Sequence, residues 1–523
     1  MTELRSYLGG DWRPGVGDEI ALVNPSHAGR IGHVRRAQGL ALAVAHARDT
    51  GGPALRALTF AQRGRLLERM AAVIHAERDA LLDLAGRSGG NTRGDAKFDV
   101  DGATAVLSVY AELAKGLGDR SHLIEDDAQP LYHGSKLRAQ HVRLPRHGVA
   151  VHINAFNFPA WGMIGKAAVA LLAGMPVVSK PATSTSALAH RIAELVLADG
   201  MLPRGAFSLL MGPAGDLLDH LEPQDVVAFT GSADTGRLIR SHARVLATGA
   251  RINVEADSLN AAIIGPDVAR GTELFDALVR DCTVEMTQKA GQKCTATRRM
   301  LVPSALMDDL QEVLVERLDE LAARVGDPAD RDHRMGPLAS AAQLRDVRAG
   351  IQRLCECATI VRGDPQRRSF GGEGTEAGFF IEPVLLATTP QVALDATAPV
   401  HRTEVFGPVA TLLPYDGLAA TAGRVVGAGE GSLVSTVYSD DRAFVREVLH
   451  QAGPHLGRLV VVQEKTARAS LPPGGVFAVA NHGGPGRAGG GEEMGGLHGL
   501  ELYTQRLAVQ TGASQLARLL ASD

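Results

Sequence analysis

The feature that constrains this fold most is an alternation of apolar runs and helical patterns that begins after His147. Short apolar runs predict strands, and apolar residues at three- to four-residue spacing predict helices. The predicted strands are 148–153, 176–180, 207–211, 226–229 and 252–255, and the predicted helices are 161–173, 187–197 and 233–246. Strands and helices that alternate in this way form a mostly parallel sheet covered on both faces, which binds nucleotides at the carboxyl ends of its strands. The sequence therefore predicts an α/β fold with a dinucleotide site.

The rest of the chain carries a second alternating region and two extended segments. Residues 55–85 show helical spacing typical of surface helices, and the region after Leu259, to about Val479, reads as a second α/β domain. The segment 123–142 and the tail 497–511 are strand-like. Because such edge strands commonly pair with another subunit, and neither is expected to bury itself within one chain, we expect a homo-oligomer with a dimer as its smallest unit.

Charge and cysteine content exclude several classes of protein. Lys and Arg number 54 against 58 Asp and Glu, so no basic field points to nucleic acid or an anionic membrane. Met1 to Pro14 lacks the apolar core of a signal peptide, and the longest apolar stretch, Ala167 to Val178, is broken by a glycine and a proline. The four cysteines lack disulfide-framework spacing, and Cys355 and Cys357 have no second ligand pair at zinc spacing nearby. We expect a cytoplasmic protein that binds a small molecule and no metal, membrane or nucleic acid.

Cys294 is the candidate nucleophile. It follows the small and flexible stretch that begins at Ala290, and Lys293 lies directly beside it in the sequence. A cysteine with a pKa of about 8.5 becomes reactive when positive charge or backbone amides stabilise its thiolate. The alternative is a buried structural cysteine, which is the commoner role of a lone cysteine and the one that we assign to Cys282.

Two polar residues follow predicted strands and are candidates for acid–base and oxyanion chemistry. Glu255 closes the strand that begins at Arg251, where a carboxylate can activate a water; the alternatives are a helix cap or a surface charge. Asn157 comes after the first strand, where its amide can donate to an oxyanion; the alternative is a turn-forming residue before Pro159.

Two further strand ends are candidates for nucleotide binding. Lys180 ends a strand before Pro181 and can reach ribose hydroxyls or phosphate, whereas a solvated lysine is the ordinary alternative. The segment Phe229 to Gly236 is a glycine-containing turn between a strand and a helix, and helix N-termini attract pyrophosphate. It lacks the G-x-G-x-x-G spacing, so by itself it is a weak signal.

In combination these motifs resemble the aldehyde dehydrogenase superfamily from about residue 10 to 510. The order of the motifs carries the resemblance, and they are Asn-Phe-Pro at Asn157, Lys-Pro-Ala at Lys180, Phe-Thr-Gly-Ser at Phe229, the strand of Glu255, Gly-Gln-x-Cys at Cys294 and Glu-x-Phe-Gly-Pro at Glu404.

The resemblance implies a role for each matched residue. Cys294 corresponds to the nucleophile, Glu255 to the general base, and the Asn157 amide with the cysteine backbone amide to the oxyanion hole. Glu404 would hold the nicotinamide ribose, with Phe406 against the nicotinamide. The other implied cofactor contacts are Lys180, Ala182, Thr183, Phe229, Gly231 and Ser232.

The resemblance also implies a domain plan. A Rossmann-type cofactor domain covers 1–122 and 147–258, an α/β catalytic domain covers 259–480, and a small β oligomerisation segment covers 123–146. Residues 481–523 hold a glycine-rich surface loop and an oligomerisation tail.

Two departures from the usual family pattern point to a narrower branch. The family's Glu-Leu-Gly-Gly-Lys reads Glu-Ala-Asp-Ser-Leu-Asn from Glu255, and the stretch from Gly483 to Glu493 resembles enzymes that oxidise acyl-CoA semialdehydes in aerobic aromatic degradation. Two types in that branch are similar, one of the benzoyl-CoA pathway and the dehydrogenase part of the phenylacetate ring-opening protein. The second usually carries a hydratase domain, for which a chain ending at Asp523 has no room, so the first is favoured.

Two alternatives to an aldehyde-oxidising enzyme remain. In a CoA-acylating aldehyde dehydrogenase, coenzyme A would resolve the thioester in place of water, and the acid at Glu255 argues against it. A non-catalytic binding protein of the same fold is disfavoured because Cys294 and Asn157 are present as well.

The cofactor preference rests on Thr183. NAD-preferring relatives often carry an acidic residue here, which accepts hydrogen bonds from the adenosine ribose and would repel a 2′-phosphate. Thr183 is neutral and can donate to phosphate, and Lys180 supplies positive charge nearby. We therefore expect NADP to be preferred, with NAD also possible.

Overall fold

The first sheet contains the predicted parallel strands. The computed structural model describes residues 2–521, so Met1, Ser522 and Asp523, which belong to predicted terminal segments, lie outside the described residues. With elements numbered along the chain, this sheet contains β1 (Ser6–Leu8), β2 (Asp11–Arg13), β8 (Ala150–Ile153), β9 (Val177–Lys180), β10 (Phe207–Leu209), β11 (Val226–Thr230) and β12 (Arg251–Glu255). The order is β12-β11-β8-β9-β10-β1-β2, and β8 to β12 are parallel.

Helices cover both faces of this sheet. Successive strand residues point to opposite faces, and Val177 and Val178 accordingly join two different apolar clusters. The helices of this part are α1 (Leu40–His46), α2 (Gly52–Arg56), α3 (Phe60–Ala76), α4 (Arg78–Gly89), α5 (Arg93–Leu117), α6 (Trp161–Ala173), α7 (Ser186–Ala198), α8 (Ala233–Arg240) and α9 (Ala243–Thr248). The single helix predicted over 233–246 is wrong, because His242 has extended backbone angles and caps α9 through a hydrogen bond from the Arg244 N–H.

The second sheet follows the first along the chain. It contains β13 (Ala261–Ile264), β14 (Arg299–Pro303), β15 (Thr359–Arg362), β16 (Val384–Ala387), β17 (Val409–Tyr415), β18 (Ser432–Tyr438) and β19 (Leu456–Val462). The order is β15-β16-β17-β14-β13-β18-β19, with only β15 antiparallel to its neighbour. Its helices are α10 (Glu273–Thr287), α11 (Met307–Ala322), α12 (Ala341–Leu354), α13 (Pro390–Leu394), α14 (Ala419–Gly427) and α15 (Arg442–Ala452). Two sheets with flanking helices confirm the predicted α/β class.

A third sheet joins the two extended segments. It contains β5 (Leu123–Ile124), β6 (Gln129–Pro130), β7 (Leu137–Pro145) and β22 (Thr504–Gly512), and β22 pairs with β7 along its whole length. The two segments thus pair with each other within the chain, but most of β22 remains exposed, so the prediction that they cannot bury themselves within one chain is not contradicted. The tail is extended only from Thr504, since residues 496–501 form a 3₁₀ helix, and α16 (Ala513–Leu520) follows β22. Near the N-terminus, β3 (Val16–Val23) and β4 (Arg30–Arg36) form a separate hairpin.

The glycine-rich stretch is a hairpin, so the prediction of a surface loop is wrong. Strands β20 (Asn481–Gly484) and β21 (Gly491–Met494) pair with each other and contact β12 of the first sheet, while β20 also contacts β18 and β19 of the second. The approach is so close that a Cβ at Gly491 would lie 2.5 Å from the carbonyl oxygen of Val254. Only glycine permits this contact, which places the hairpin where the two large sheets meet.

Within residues 2–521, no helix has both the length and the apolar character needed to cross a membrane.

Candidate active site

Cys294 lies in a tightly fastened loop between α10 and β14. The preceding residues Lys289 and Ala290 have φ angles of 54° and 52°, and a Cβ at Gly291 would lie 2.1 Å from the carbonyl oxygen of Gly407. Asn260 then donates a hydrogen bond of 2.7 Å from Nδ2 to the Cys294 carbonyl oxygen. Left-handed backbone at residues other than glycine is costly and concentrates at functional sites, so the loop is held by its surroundings.

The lysine next to Cys294 in sequence points away from it. Lys293 Nζ lies 2.9 Å from Glu285 Oε2 and donates to Gln288 Oε1 at 3.0 Å, and its side chain is fully buried. Its charge is therefore neutralised by Glu285, and the interpretation of Lys293 as the stabiliser of the thiolate is wrong. Burial raises the pKa of the Cys294 thiol well above its usual value, and the Glu255 carboxylate raises it further.

Glu255 lies at the end of β12 beside a histidine that the sequence motifs did not indicate. Glu255 Oε1 is 2.8 Å from His482 Nε2, and the Thr230 hydroxyl donates to Glu255 Oε2 at 3.2 Å. Burial would raise the pKa of Glu255, but the contact with His482 and the charge of Lys166 outweigh it and hold the pKa low. The carboxylate is thus ionised at neutral pH. His482 Nε2 also lies 3.9 Å from Cys294 Sγ.

A buried ion pair borders this group. Lys166 on α6 donates to the Thr230 hydroxyl at 2.6 Å and lies 3.3 Å from Glu493 Oε2 on β21. Asn253 donates to the other carboxylate oxygen of Glu493 at 3.0 Å. Charges this far from water need partners of this kind, so Lys166 is already satisfied within the protein.

Two cavities meet at the cysteine. One presents a mostly apolar surface, to which Phe98, Phe158, Trp161, Val476 and Met494 contribute. The other includes Ala182, Gly231, Ser232, Glu404 and Phe406. Both are bordered by Asn157, Glu255 and Cys294. The structure therefore brings the three predicted catalytic residues together between two separate spaces. We refer to these as the aldehyde-side cavity and the cofactor-side groove.

The predicted nucleotide-binding turn forms one wall of the groove. The Ser232 hydroxyl accepts a hydrogen bond from the Thr235 N–H at the start of α8, and Asp257 Oδ1 accepts one from the Ala233 N–H at 3.0 Å. Gly231 lies against the buried ring of Phe229, which supports the turn from beneath. Part of the helix N-terminus is thus already capped by side chains of the protein.

The connection after β9 flanks the groove through Ala182. Lys180 ends β9, and its Nζ donates to the Pro181 carbonyl oxygen at 3.1 Å. Thr183 begins a 3₁₀ turn that leads into α7, and its carbonyl accepts a hydrogen bond from the Ser186 hydroxyl. Burial lowers the pKa of Lys180.

Glu404 offers an unused acceptor to the groove. Its Oε2 accepts from the Ser258 N–H at 3.1 Å, whereas its buried Oε1 lies 3.6 Å from Arg298 Nε and has no hydrogen-bond partner among residues 2–521. Burial raises the pKa of Glu404 to about 7, although Arg298 opposes the shift. The Phe406 ring lies edge-on to Phe156 with centroids 5.8 Å apart. An unpaired carboxylate oxygen beside an aromatic face suits a ribose hydroxyl and a nicotinamide ring, so these residues fit a nicotinamide dinucleotide.

The remaining cysteines lie outside the two cavities. Cys282 on α10 is 1% exposed within an apolar cluster, as the structural role requires. Cys355 is exposed, and the Cys357 thiol donates to the Leu354 carbonyl oxygen at 3.5 Å. That the protein binds no metal ion stays a prediction.

Several residues at the site escaped prediction because they come from distant parts of the chain. Arg298 ties the Cys294 loop to the Glu404 segment by donating to the carbonyl oxygens of Gly291 and Gly407. The signal for His482 and Glu493 was the unusual composition of the glycine-rich stretch that they border. The other missed residues are Lys166, Thr230 and Asn260.

Comparison with known proteins decides the family. The model of the aldehyde dehydrogenase family matches residues 12–509. The chain belongs to the aldehyde dehydrogenase family. This aldehyde dehydrogenase is 42% identical to the 3,4-dehydroadipyl-CoA semialdehyde dehydrogenase of Aromatoleum evansii over 487 residues, which are 92% of this chain and 93% of the relative. It is 30% identical to the α-ketoglutaric semialdehyde dehydrogenase of Bacillus subtilis over 435 residues, 80% of this chain and 82% of that one.

Solved structures show the same fold. Betaine aldehyde dehydrogenase of Staphylococcus aureus in complex with NAD⁺ matches with a TM-score of 0.81 and 25% identity, over 97% of this chain and 95% of that chain. PnpE of Pseudomonas sp. WBC-3 matches with a TM-score of 0.82 and 26% identity, over 98% of both chains. The chain therefore has the fold of these structures over nearly all of its described length, and its family match makes it an oxidoreductase.

Proposed function

We propose that this aldehyde dehydrogenase oxidises an acyl-CoA semialdehyde, such as 3,4-dehydroadipyl-CoA semialdehyde, to the carboxylic acid through a thioester on Cys294. The observation that carries the proposal is the meeting of two cavities at Cys294, where Asn157 and Glu255 also border both cavities. An aldehyde that enters from one side and a nicotinamide that enters from the other both reach the thiol.

Each catalytic residue has a distinct part in this mechanism. Cys294 Sγ attacks the aldehyde carbon, and the Asn157 amide donates to the oxygen that becomes negative; a donor of this kind is typically worth about 3 kcal/mol in the transition state. When bound, the nicotinamide supplies the two-electron oxidant. Glu255 takes a proton from the water that hydrolyses the thioester, a task that its ionised state at neutral pH permits.

The walls of the aldehyde-side cavity support a CoA-linked substrate. Phe98, Phe158 and Trp161 offer apolar surface to an aliphatic chain, and the one lysine in the lining, Lys166, is paired with Glu493. A semialdehyde with a free carboxylate at its other end would find no unpaired cation there, whereas a thioester carries no such charge. The 42% identity with an acyl-CoA semialdehyde dehydrogenase supports the same substrate class.

The residues after β9 support a preference for NADP over NAD. Thr183 and Ser184 are neutral and can donate to a 2′-phosphate, which an acidic side chain would repel. Lys180 contributes positive charge at the same connection.

The test is to mix the purified protein with acyl-CoA semialdehydes or with free semialdehydes and to follow the absorbance of reduced nicotinamide. We expect the highest kcat/KM for a CoA-linked semialdehyde with NADP. Formation of a carboxylic acid without added coenzyme A separates this function from a CoA-acylating enzyme, which would stall until coenzyme A is supplied. Absence of reduced cofactor with every aldehyde would identify a non-catalytic binding protein.

We also propose that the enzyme is a cytoplasmic homo-oligomer with a dimer as its smallest unit. All four cysteines are free thiols, which a reducing compartment preserves. The third sheet keeps Leu144 on β7 and Leu507 on β22 exposed on the same face. A second subunit would cover this surface, since patches of this kind commonly mark interfaces.

Light scattering at micromolar concentration should therefore report at least a dimer, and Leu144→Arg with Leu507→Arg should shift the population toward the monomer. Leu394→Arg on α13 is the control, because that leucine is equally exposed but lies far from the third sheet in the fold. A monomeric wild-type protein would contradict the proposal.

A further inference from the structure

The mechanism requires a thiolate at Cys294. Neither Lys293 nor Lys166 is free to stabilise the negative charge of that thiolate. Lys293 is paired with Glu285, and Lys166 is held by Thr230 and Glu493. Burial and the neighbouring Glu255 carboxylate both favour the protonated thiol. Some other group must therefore take up the proton and stabilise the negative sulfur.

His482 lies in reach of the thiol, beside the Glu255 carboxylate. Its Nε2 lies 3.9 Å from Cys294 Sγ and 2.8 Å from Glu255 Oε1, so one ring nitrogen faces both the nucleophile and the base. His482 is 7% exposed and lies on β20, whose hairpin is held against β12 by the hydrogen bond from the Glu492 N–H to Asn253 Oδ1. The hairpin thus fixes the imidazole against the site.

We propose that His482 activates Cys294: the imidazole ring takes up the proton of the thiol, and its Nε2–H then lies between the thiolate and the Glu255 carboxylate. The inference rests on the proposed thioester mechanism and adds a catalytic residue to it. Imidazolium–thiolate pairs are a general means of making a cysteine nucleophilic at neutral pH.

The proton balance follows from the contacts. In this proposal the neutral ring carries its proton on Nδ1, so the thiol proton passes directly to Nε2, which lies 3.9 Å from Sγ. The sulfur electron pair forms the C–S bond, and the carbonyl π pair moves to the oxygen facing Asn157. When hydrolysis breaks the C–S bond, the thiolate recovers a proton from the imidazolium, and Glu255 releases to solvent the proton that it took from water.

Four titratable groups surround the ring. Glu255 on β12 lies 2.8 Å from Nε2, and Glu493 is the register partner of His482 across the hairpin. Lys166 on α6 lies 3.3 Å from Glu493 and donates to Thr230. Cys294 is the fourth of these groups, with its sulfur 3.9 Å from Nε2.

The inference is tested by alkylating the enzyme with iodoacetamide between pH 5.5 and 9, without cofactor or aldehyde, and counting modified Cys294 peptides by mass spectrometry. Exposed Cys355 serves as an internal standard in the same sample. Wild-type Cys294 should react at a rate that levels off near neutral pH, whereas Cys355 should gain about tenfold per pH unit below its pKa. His482→Gln should slow Cys294 by about tenfold or more at pH 6.5 and restore the ordinary slope.

Matched variants exclude indirect effects. His498→Gln removes an exposed histidine just beyond the hairpin that pairs with Glu501, and it should leave the profile of Cys294 unchanged. In His482→Ala, added imidazole should recover part of the lost reactivity. If neither variant of His482 folds, the wild-type profile alone decides, since a Cys294 rate that climbs tenfold per pH unit from 6 to 9 overturns the inference.

Two outcomes separate this inference from the proposed function. If His482→Gln alkylates like the wild type and only thioester hydrolysis slows, the histidine acts through Glu255 and the inference is wrong while the enzyme function stands. If the wild type forms no reduced nicotinamide with any aldehyde, the proposed function is wrong, and the alkylation profile still reports whether His482 controls the thiol.

Discussion

The cofactor-side groove and the aldehyde-side cavity share Cys294, Glu255 and Asn157 but are built in different ways. The groove is lined largely by residues at strand ends and in short motifs, such as Gly231, Ser232 and Glu404. The cavity takes His482 and Glu493 from a hairpin that reaches the site from the far end of the chain. The groove residues thus lie in short motifs that are recognisable one by one, whereas the cavity also depends on a hairpin that only packing brings to the site.

The largest effect is expected from removing the Cys294 sulfur, because the groove and the cavity meet at this residue. Cys294→Ala should lower kcat by about 10⁴-fold or more, because no covalent intermediate can form, and should leave cofactor affinity nearly intact. Steady-state assays and a cofactor-binding titration measure the two quantities. Cys355→Ala, at an exposed thiol, is the control. Retained oxidation by Cys294→Ala would contradict the covalent mechanism.

The second test separates thioester formation from hydrolysis. Glu255→Gln removes the base but keeps the shape of the side chain, so one burst of reduced cofactor should appear and turnover should fall by about 10²- to 10⁴-fold. Stopped-flow absorbance resolves the burst. Glu320→Gln, at an exposed position on α11, should behave as the wild type. Turnover of Glu255→Gln at the wild-type rate would mean that another base acts.

The third test concerns only the groove. Thr183→Glu should shift the ratio of kcat/KM values toward NAD by about tenfold, since a carboxylate near a 2′-phosphate costs about 1 kcal/mol or more. Thr183→Gln has nearly the same size without the charge and should leave the ratio close to that of the wild type. A wild-type enzyme that already favours NAD tenfold would show that Thr183 does not discriminate between the two cofactors. The same conclusion would follow if Thr183→Glu left the ratio of kcat/KM values unchanged.

The smallest effect is expected from pH. Burial raises the pKa of Glu404 to about 7, so the carboxyl is mostly protonated at pH 6 and ionised at pH 8. A ribose hydroxyl donates more strongly to the carboxylate, so cofactor affinity should rise by about fivefold between these values. Glu404→Gln should remove the dependence, and a wild-type affinity that falls with pH would contradict the assignment. Titration calorimetry in matched buffers measures it.

Local sequence patterns predicted elements beside both spaces. The helix expected over 161–173 is α6, which borders the aldehyde-side cavity, and the strand expected to end at Lys180 is β9, which leads to Ala182 in the groove. These segments are long or strongly apolar, so their periodicity was enough. The helix expected over 233–246 divides into α8 and α9. His242 lies between them with extended backbone angles and caps α9, and apolar periodicity alone did not reveal this break.

Adjacency in sequence was misleading at the nucleophile. Lys293 is covalently next to Cys294, yet its ammonium is committed to Glu285, which lies on the preceding helix. His482 is 188 residues away along the chain and lies 3.9 Å from the sulfur. Neighbouring residues in an irregular loop point in different directions, so proximity along the chain does not place two side chains together.

The sequence by itself determined the α/β class and the family, because both follow from periodicity and from the order of short motifs. It also indicated that Cys294, Glu255 and Asn157 lie together. The tertiary structure decided which charges reach the thiol and where the glycine-rich stretch lies. The hairpin takes its place because the Gly491 backbone approaches β12 closely. Lys293 and Lys166 do not stabilise the thiolate because each forms a buried ion pair with a glutamate. Such long-range contacts arise only when distant segments pack, because burial then forces every charge to find a partner.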